Sequence, residues 1–335
     1  MHIVITGGAG FLGQRLASAL LQIGQLALAG AAPQTIQTIT LLDRAAPSPA
    51  LAQDRRIRVV TGDLNAFLES KEAVVTVFKA STAIIFHLAA AVSGECEADF
   101  DLGLRSNVDA TRALLQTCRA LQTRPMMVFA SSLAVFGNSP EQPLPAVVTD
   151  DTLPTPQNSY GIQKFIGEQL VADYTRKGYV RGRNVRLMTV SVRPGKPNGA
   201  ASSFLSGMIR EPLAGVRAVC PVPKDTPVAL ASPARTIEGL IRAAEASDAD
   251  WGARTAVNLP ALTTTPGEMA AALARVAGQA VADLIDWTLE PAVAQIVTRW
   301  PAVMDAARAR RLSLLPDADF DSIIRAYQQE SIALL

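Results

Sequence analysis

The segment His2–Gly13 constrains the fold more than any other part of the chain. A short apolar, β-branched run, His2–Thr6, passes directly into Gly7-Gly8-Ala9-Gly10-Phe11-Leu12-Gly13, and a helical pattern follows. Glycines at 7, 10 and 13 permit a tight turn, close backbone approach to a pyrophosphate and tight packing of the next helix on a sheet. The free N–H groups at the start of that helix favour an anion. Gly7, Gly10, Phe11, Leu12 and Gly13 are therefore candidate dinucleotide contacts, although the GxxGxxG spacing is one residue longer than the commonest fingerprint.

The first half of the 335-residue chain repeats this alternation. Strands are predicted at His2–Thr6, Gln37–Asp43, Ile57–Thr61, Ala83–Leu88, Met126–Ser131 and Asn184–Val192, with helical stretches between them, as in parallel βαβ units. A longer helix is predicted from about Asp99 to Ala120, with Leu102, Val108, Leu114 and Leu115 on a stripe suited to a core or a subunit interface. Pro140, Pro143, Pro145, Pro154 and Pro156 predict an extended loop over Asn138–Gln157. Beyond Pro194 the alternation decays into Gly-, Pro- and Ser-rich stretches and Ala-rich helices, including Pro266–Ala277 and Pro291–Arg311. The expected fold is α/β: a Rossmann-type doubly wound parallel sheet over residues 1–194, and a smaller, mainly substrate-binding C-terminal domain over 195–335 that returns a strand near 255–259.

The second predicted strand ends in Asp43, placed to accept hydrogen bonds from both hydroxyls of an adenosine ribose. A carboxylate there repels a 2′-phosphate, which favours NAD over NADP, with Arg44 partly offsetting the repulsion. Asp43 lies 30 residues beyond Gly13, so a lengthened loop is expected around Gln25–Thr35. Asp63 and Leu64, after the third strand, are candidate contacts for the adenine edge.

Composition excludes other classes. A formal net charge of +1 favours neither nucleic acid nor an anionic membrane as partner. Leu16–Ala32 is apolar enough to imitate a membrane span, but Gln22, Gly24, Gln25 and Gly30 interrupt it, so a helix and a loop are expected, with no signal peptide. Cys96, Cys118 and Cys220 show no CxxC spacing and are odd in number, which argues against disulfides or a zinc site and for a reduced, cytoplasmic setting.

Tyr160 and Lys164 stand four residues apart, so a helix puts them on one face. With a phenol reference pKa of about 10, a neighbouring ammonium that favours the phenolate would let Tyr160 act as a general base. The fifth predicted strand ends in Ser131-Ser132, where a hydroxyl can orient and polarise a substrate alcohol or carbonyl. There is no GxSxG elbow. The two histidines are His2 and His87, and His87, inside the fourth strand, is expected to be structural.

Together these residues resemble the extended short-chain dehydrogenase/reductase family. The matching motifs are the glycine turn, Asp43, Gly62-Asp63, His87-Leu88-Ala89-Ala90, Asn107-Val108-Asp109-Ala110-Thr111, Ser131-Ser132 with Gly137, Tyr160 with Lys164, and Arg193-Pro194-Gly195. The resemblance implies that Ser132 is the catalytic hydroxyl beside Tyr160 and Lys164. It also implies that Leu88, Ala89 and Ala90 line the cofactor groove, that Asn107 stabilises the site, that Pro194 lies near the nicotinamide, and that a helix pair including the Tyr160 helix forms a homodimer. Phe136 stands where many relatives place Tyr, which implies an altered pocket wall.

Ala91-Val92-Ser93-Gly94-Glu95, Asp99-Phe100-Asp101-Leu102-Gly103, Ser191–Asn198 and Ser202-Ser203-Phe204 are similar to a branch of that family that oxidises the carbon-2 hydroxyl of a four-carbon sugar acid, D-erythronate, with NAD. A sugar acid needs hydroxyl recognition and a partner for its carboxylate. Ser93, Lys196, Asn198 and Ser203 are candidate contacts, with Arg210 and Arg235 as more distant cations. The alternatives are a nucleotide-sugar epimerase or dehydratase of the same family, or a catalytically silent NAD sensor.

Overall fold

The computed structural model describes residues 1–195 and 199–333. Among them, seven parallel strands form the central sheet: β1 His2–Thr6, β2 Thr38–Asp43, β3 Ile57–Thr61, β4 Thr82–His87, β5 Met126–Ser132, β6 Arg181–Leu187 and β7 Val257–Asn258. They lie in the order β7-β6-β5-β4-β1-β2-β3. The connection reverses direction between β1 and β4, and such a switch point leaves a crevice at the carboxyl ends of the strands.

Helices cover both faces, chiefly α1 (Phe11–Ile23), α2 (Ala110–Leu121), α3 (Ser159–Arg176) and α5 (Pro233–Glu245), while α4 (Phe204–Leu213) belongs to the C-terminal lobe. Ile3, Ile5, Ile84, Phe86 and Val128 pack with Leu16 and Leu20 of α1 and Leu240 and Ile241 of α5. Val4, Ile85, Met127 and Phe129 face the other way, toward Leu114 and Leu115 of α2 and Val171 of α3. Burial on both sides is why these strands read as unbroken apolar runs.

The lengthened loop is a small insertion, in which Gln25–Leu26 pairs antiparallel with Gln34–Thr35. The chain from Phe100 to Leu121 is helical, but Leu104–Asp109 winds as a π-helix between α-helical ends. Two predicted elements divide. The stretch Asn184–Val192 is not one strand: after Leu187 the chain leaves the central sheet, and Thr189–Val190 pairs with Val228–Ala231 in another. The stretch Pro291–Arg311 is not one helix, because Pro301 supplies no backbone donor; helices at Pro291–Val297 and Ala307–Arg311 flank the strand Met304–Asp305. That strand pairs with Val148–Thr149 and pins the proline-rich loop.

Leu205, Met208 and Ile209 of α4 form a separate core with Leu230, Met269, Leu273, Ile285 and Ile324. The chain beyond 195 also returns to the main sheet. Helix α5 packs on it, and Val257–Asn258 pairs in parallel with Val185–Arg186 at its edge.

A charged pair is buried between α3 and the sheet. Arg186 of β6 donates to Glu168 of α3 through Nε at 2.8 Å and Nη2 at 2.7 Å, and Ser131 Oγ donates to the same carboxylate at 2.5 Å. Both charged side chains are at most 5% exposed. Glu168→Ala would strand the guanidinium, and unfolding free energy is expected to fall by about 3–5 kcal/mol. Urea denaturation followed by circular dichroism measures this; a loss below about 1 kcal/mol would place the pair among solvated ones.

Candidate active site

Each candidate catalytic side chain is set by a local device. Gly7 adopts φ +70°, and a Cβ there would stand 2.7 Å from the Ala89 nitrogen, so only glycine lets the turn after β1 touch the end of β4. The prolines keep the chain extended up to Asn158, whose Oδ1 caps α3 by accepting the Gly161 N–H at 2.7 Å. Gly161 then permits contact with the turn after β5, because a Cβ would lie 2.0 Å from the Ala134 carbonyl oxygen. Tyr160 is thereby brought against Ser132, whose hydroxyl favours the ionised phenol.

These groups line a cleft of about 430 Å³ at the carboxyl ends of β1, β4, β5 and β6, within the size range of small-molecule sites. The glycine turn contributes Gly7, Gly10, Phe11, Leu12 and Gly13, and the segment after β4 contributes Leu88 and Ala90. Ser132, Tyr160, Lys164 and Pro194 line it too, as do Ser93, Ser203 and Arg210. Sequence reasoning missed Arg193 and Trp300, which also line the cleft. Arg193 was legible from its position: the residue before a proline expected near the nicotinamide belongs at the reaction centre. Trp300 had no such signal.

Other candidates fall elsewhere. Asp43 Oδ2 accepts the N–H groups of Ala9 and Gly10 at 3.0 and 3.2 Å, so the strand-end carboxylate also fastens the glycine turn. Asp63 caps the helix Leu64–Glu69, accepting from Asn65 and Ala66. Asn107 is buried in a network with the Ala91 backbone, Cys96 and Gln163 and does not line the cleft, nor does Ala89. Arg235 is a correction: it pairs with Glu238 on α5 at 2.7 Å, outside the cleft. Phe136 is another, since it is fully buried under the Arg186 guanidinium and forms no wall of the cleft. Lys196 and Asn198 lie outside the described residues. His87 is structural, held between the Thr6 and Thr111 hydroxyls at 2.7 and 2.9 Å.

The electrostatics differ from the simple expectation. Burial pushes the Tyr160 phenol up to about 12, against the opposing influences of the Ser132 hydrogen bond and the Arg193 charge. Burial also pushes the Lys164 ammonium down to about 8. Its Nζ donates to the Ala130 carbonyl at 2.9 Å and sits 5.7 Å from the Tyr160 ring centroid. Among the described residues the cleft lining carries three cations, Lys164, Arg193 and Arg210, and no carboxylate.

The NAD dependent epimerase/dehydratase family matches residues 3–226. D-erythronate dehydrogenase of Cupriavidus necator is 52% identical over 99% of both chains. The Haemophilus influenzae protein of the same name is 38% identical over 98% of both. A crystal structure of a nucleoside-diphosphate-sugar epimerase from Agrobacterium tumefaciens superposes with a TM-score of 0.88 at 36% identity, covering 99% of this chain and 95% of that one. The chain belongs to the NAD-dependent epimerase/dehydratase family. It is an extended short-chain dehydrogenase/reductase and an NAD-dependent oxidoreductase. The site fits NAD on its own chemistry: a glycine turn opens onto the cleft, and at the end of β2 a carboxylate stands beside that turn.

Proton removal by Tyr160 requires the phenolate, whose fraction grows tenfold per pH unit below the phenol's pKa. Oxidation rates are therefore expected to rise with pH across neutrality, and Tyr160→Phe to abolish that rise along with most turnover while NAD still binds. Lys164 has the other sign. Its folded pKa lies below its unfolded one, so between about 8 and 10.5 the unfolded chain binds the extra proton and stability increases with pH. At neutral pH the buried ammonium costs the fold on the order of 3 kcal/mol. Lys164→Met should thus unfold no lower than wild type at pH 7 while losing turnover; a drop in melting temperature that parallels the lost activity would make Lys164 structural.

Proposed function

We propose that the protein oxidises the carbon-2 hydroxyl of D-erythronate to 2-dehydro-D-erythronate, with Tyr160 as general base. The observation that carries this reading is the charge of the cleft: beside Ser132 and Tyr160 stand cations without a lining carboxylate, an environment that selects an anionic substrate. Two relatives named D-erythronate dehydrogenase, alike over almost their whole length, support it.

In this reading the Ser132 hydroxyl orients the substrate hydroxyl and Tyr160 accepts its proton. Bound NAD supplies the acceptor for the hydride leaving carbon 2. Loss of that proton and that hydride turns the C–OH into a carbonyl. Lys164, fixed on the Ala130 carbonyl, presents a positive charge to the Tyr160 ring and a donor to the cofactor ribose. Ser93 and Ser203 supply hydroxyls to the sugar acid from the far wall. The Ser93-Gly94 stretch and the segment after residue 198 act together: Gly94 N–H donates to the Gly199 carbonyl at 3.0 Å, and Ala201 N–H to Ser93 Oγ at 3.1 Å.

Residues 1–194 serve chiefly to hold NAD and the reacting side chains, and residues 195–335 to bind substrate, with α5 and β7 lent back to the sheet. A cytoplasmic, reducing setting suits three free, buried cysteines. Among the described residues, no helix is long and apolar enough to cross a membrane.

The test is NADH formation, followed at its absorbance, across small sugar acids and UDP-sugars. D-erythronate should be oxidised and UDP-sugars should not interconvert. A nucleotide-sugar epimerase is the second reading, favoured by the name of the Agrobacterium structure. Epimerisation of UDP-sugars with no turnover of any sugar acid would establish it instead.

Assembly as a homodimer is part of the proposal. Ile162 and Ile166, 47% and 37% exposed, stand one turn apart on the outer face of α3, and Phe100 is 60% exposed on a neighbouring helix. An apolar face of this kind suits a second copy. Sedimentation velocity should give a dimer that Ile162→Glu/Ile166→Glu dissociates; a wild-type monomer at micromolar concentration removes this part.

A further inference from the structure

We infer that Arg193 anchors the substrate's carboxylate and that Arg210 is the positioning residue that holds Arg193 in place, so the site reads 2-hydroxy acids rather than alcohols in general. The inference rests on the sugar-acid reading above.

The three cations of the cleft are not equivalent. Lys164 is committed to the Ala130 carbonyl and lies near the Phe129 and Tyr160 rings. Arg210 is committed at both terminal nitrogens: Nη1 donates to the Arg193 carbonyl at 2.8 Å and Nη2 to Glu211 at 2.5 Å. Arg193 is fixed through its backbone, which receives Arg210 on its carbonyl and donates its N–H to Ser206 Oγ at 3.0 Å. Its guanidinium has no carboxylate partner among the described residues, and the charged or ionisable groups acting on it are Arg210 and Tyr160. A largely buried guanidinium without a counter-ion is costly. An anion entering the cleft would satisfy it through two parallel hydrogen bonds.

Chemistry decides between the arginines. In a 2-hydroxy acid the carboxylate is bonded to the carbon that loses the hydride, next to the hydroxyl whose proton goes to Tyr160. Its cation must therefore lie close to Tyr160. Arg193 is the arginine whose charge acts on that phenol. Acids with the carboxylate farther from the hydroxyl, and neutral polyols, leave it unpaired.

The test uses the full-length protein with NAD, comparing D-erythronate with D-erythronamide, its neutral carboxamide. Arg193→Met should lower kcat/KM for the acid about 100-fold or more and for the amide at least about tenfold less, because both lose the charge beside the Tyr160 phenol but only the acid loses a charge-assisted contact. Arg193→Lys should recover part of the loss, and NAD affinity should stay at its wild-type value. Arg210→Met should lower the acid-to-amide ratio in the same sense by about tenfold. If the amide turns over too slowly to measure, its inhibition constant against D-erythronate replaces kcat/KM. Equal losses on acid and amide, or an acid-selective loss in Lys196→Met with none in Arg193→Met, overturn the assignment while wild-type oxidation of D-erythronate leaves the proposed function standing. A wild-type protein that oxidises no sugar acid overturns both.

Discussion

Glu168 and Arg186 meet through two hydrogen bonds where water is excluded, and the placement of the reacting residues depends on that meeting. Tyr160, Lys164 and Glu168 follow one another at four-residue steps on α3, so a fixed Glu168 fixes the rotation of the whole face. Ser131, on the same carboxylate, is the neighbour of Ser132. Apolar packing between helix and sheet would tolerate small rotations; a planar fork on a carboxylate does not. Because desolvation offsets much of the attraction in such a pair, its main contribution is geometric.

A second polar network fixes the opposite wall. Asn107, within the π-helical turn, joins the Ala91 backbone to Gln163, the residue before Lys164 in the chain. The segment entering the cleft at Val92-Ser93 is thus tied to the catalytic helix from behind. From the front, Gly199 and Ala201 bond to Gly94 and Ser93. Segments far apart in sequence are thus held against one another by backbone groups and buried amides behind the cleft.

The sheet was legible because β1, β2, β4 and β5 are largely apolar runs covered on both faces, a pattern that survives without knowledge of partners. The Tyr160–Lys164 pair was legible as a motif on a helix, although the buried face of α3 carries Gln163, Lys164 and Glu168, so hydrophobic periodicity understates that helix. The boundary of β6 failed for a related reason. Charged residues such as Arg183 do not announce a buried strand, and Asp248 is what allows this one to be buried, as Glu168 does for Arg186. Among the cations, Arg235 and Arg210 were equivalent in sequence; only packing separates one paired on a helix surface from one inside the cleft.

The chemistry sets one further constraint that explains the charge pattern. In the proposed reaction Tyr160 must become a phenolate beside a substrate that is already an anion. At roughly 4 Å two such charges repel by about 4 kcal/mol at the effective dielectric of a partly buried site, and burial has already pushed the phenol to about 12. A cation between the two anions is attracted to both, so it lowers the cost of each. Arg193 acts on the Tyr160 phenol from within the cleft, and Lys164 Nζ sits 5.7 Å from the ring centroid with its own charge destabilised by burial. An ammonium held near 8 is as poorly solvated as the phenol it faces, so each gains more from the other's ionised form than either would in water. Burial disfavours each charge alone and strengthens the attraction between them, and a cleft without lining carboxylates offers no competing anion to its cations.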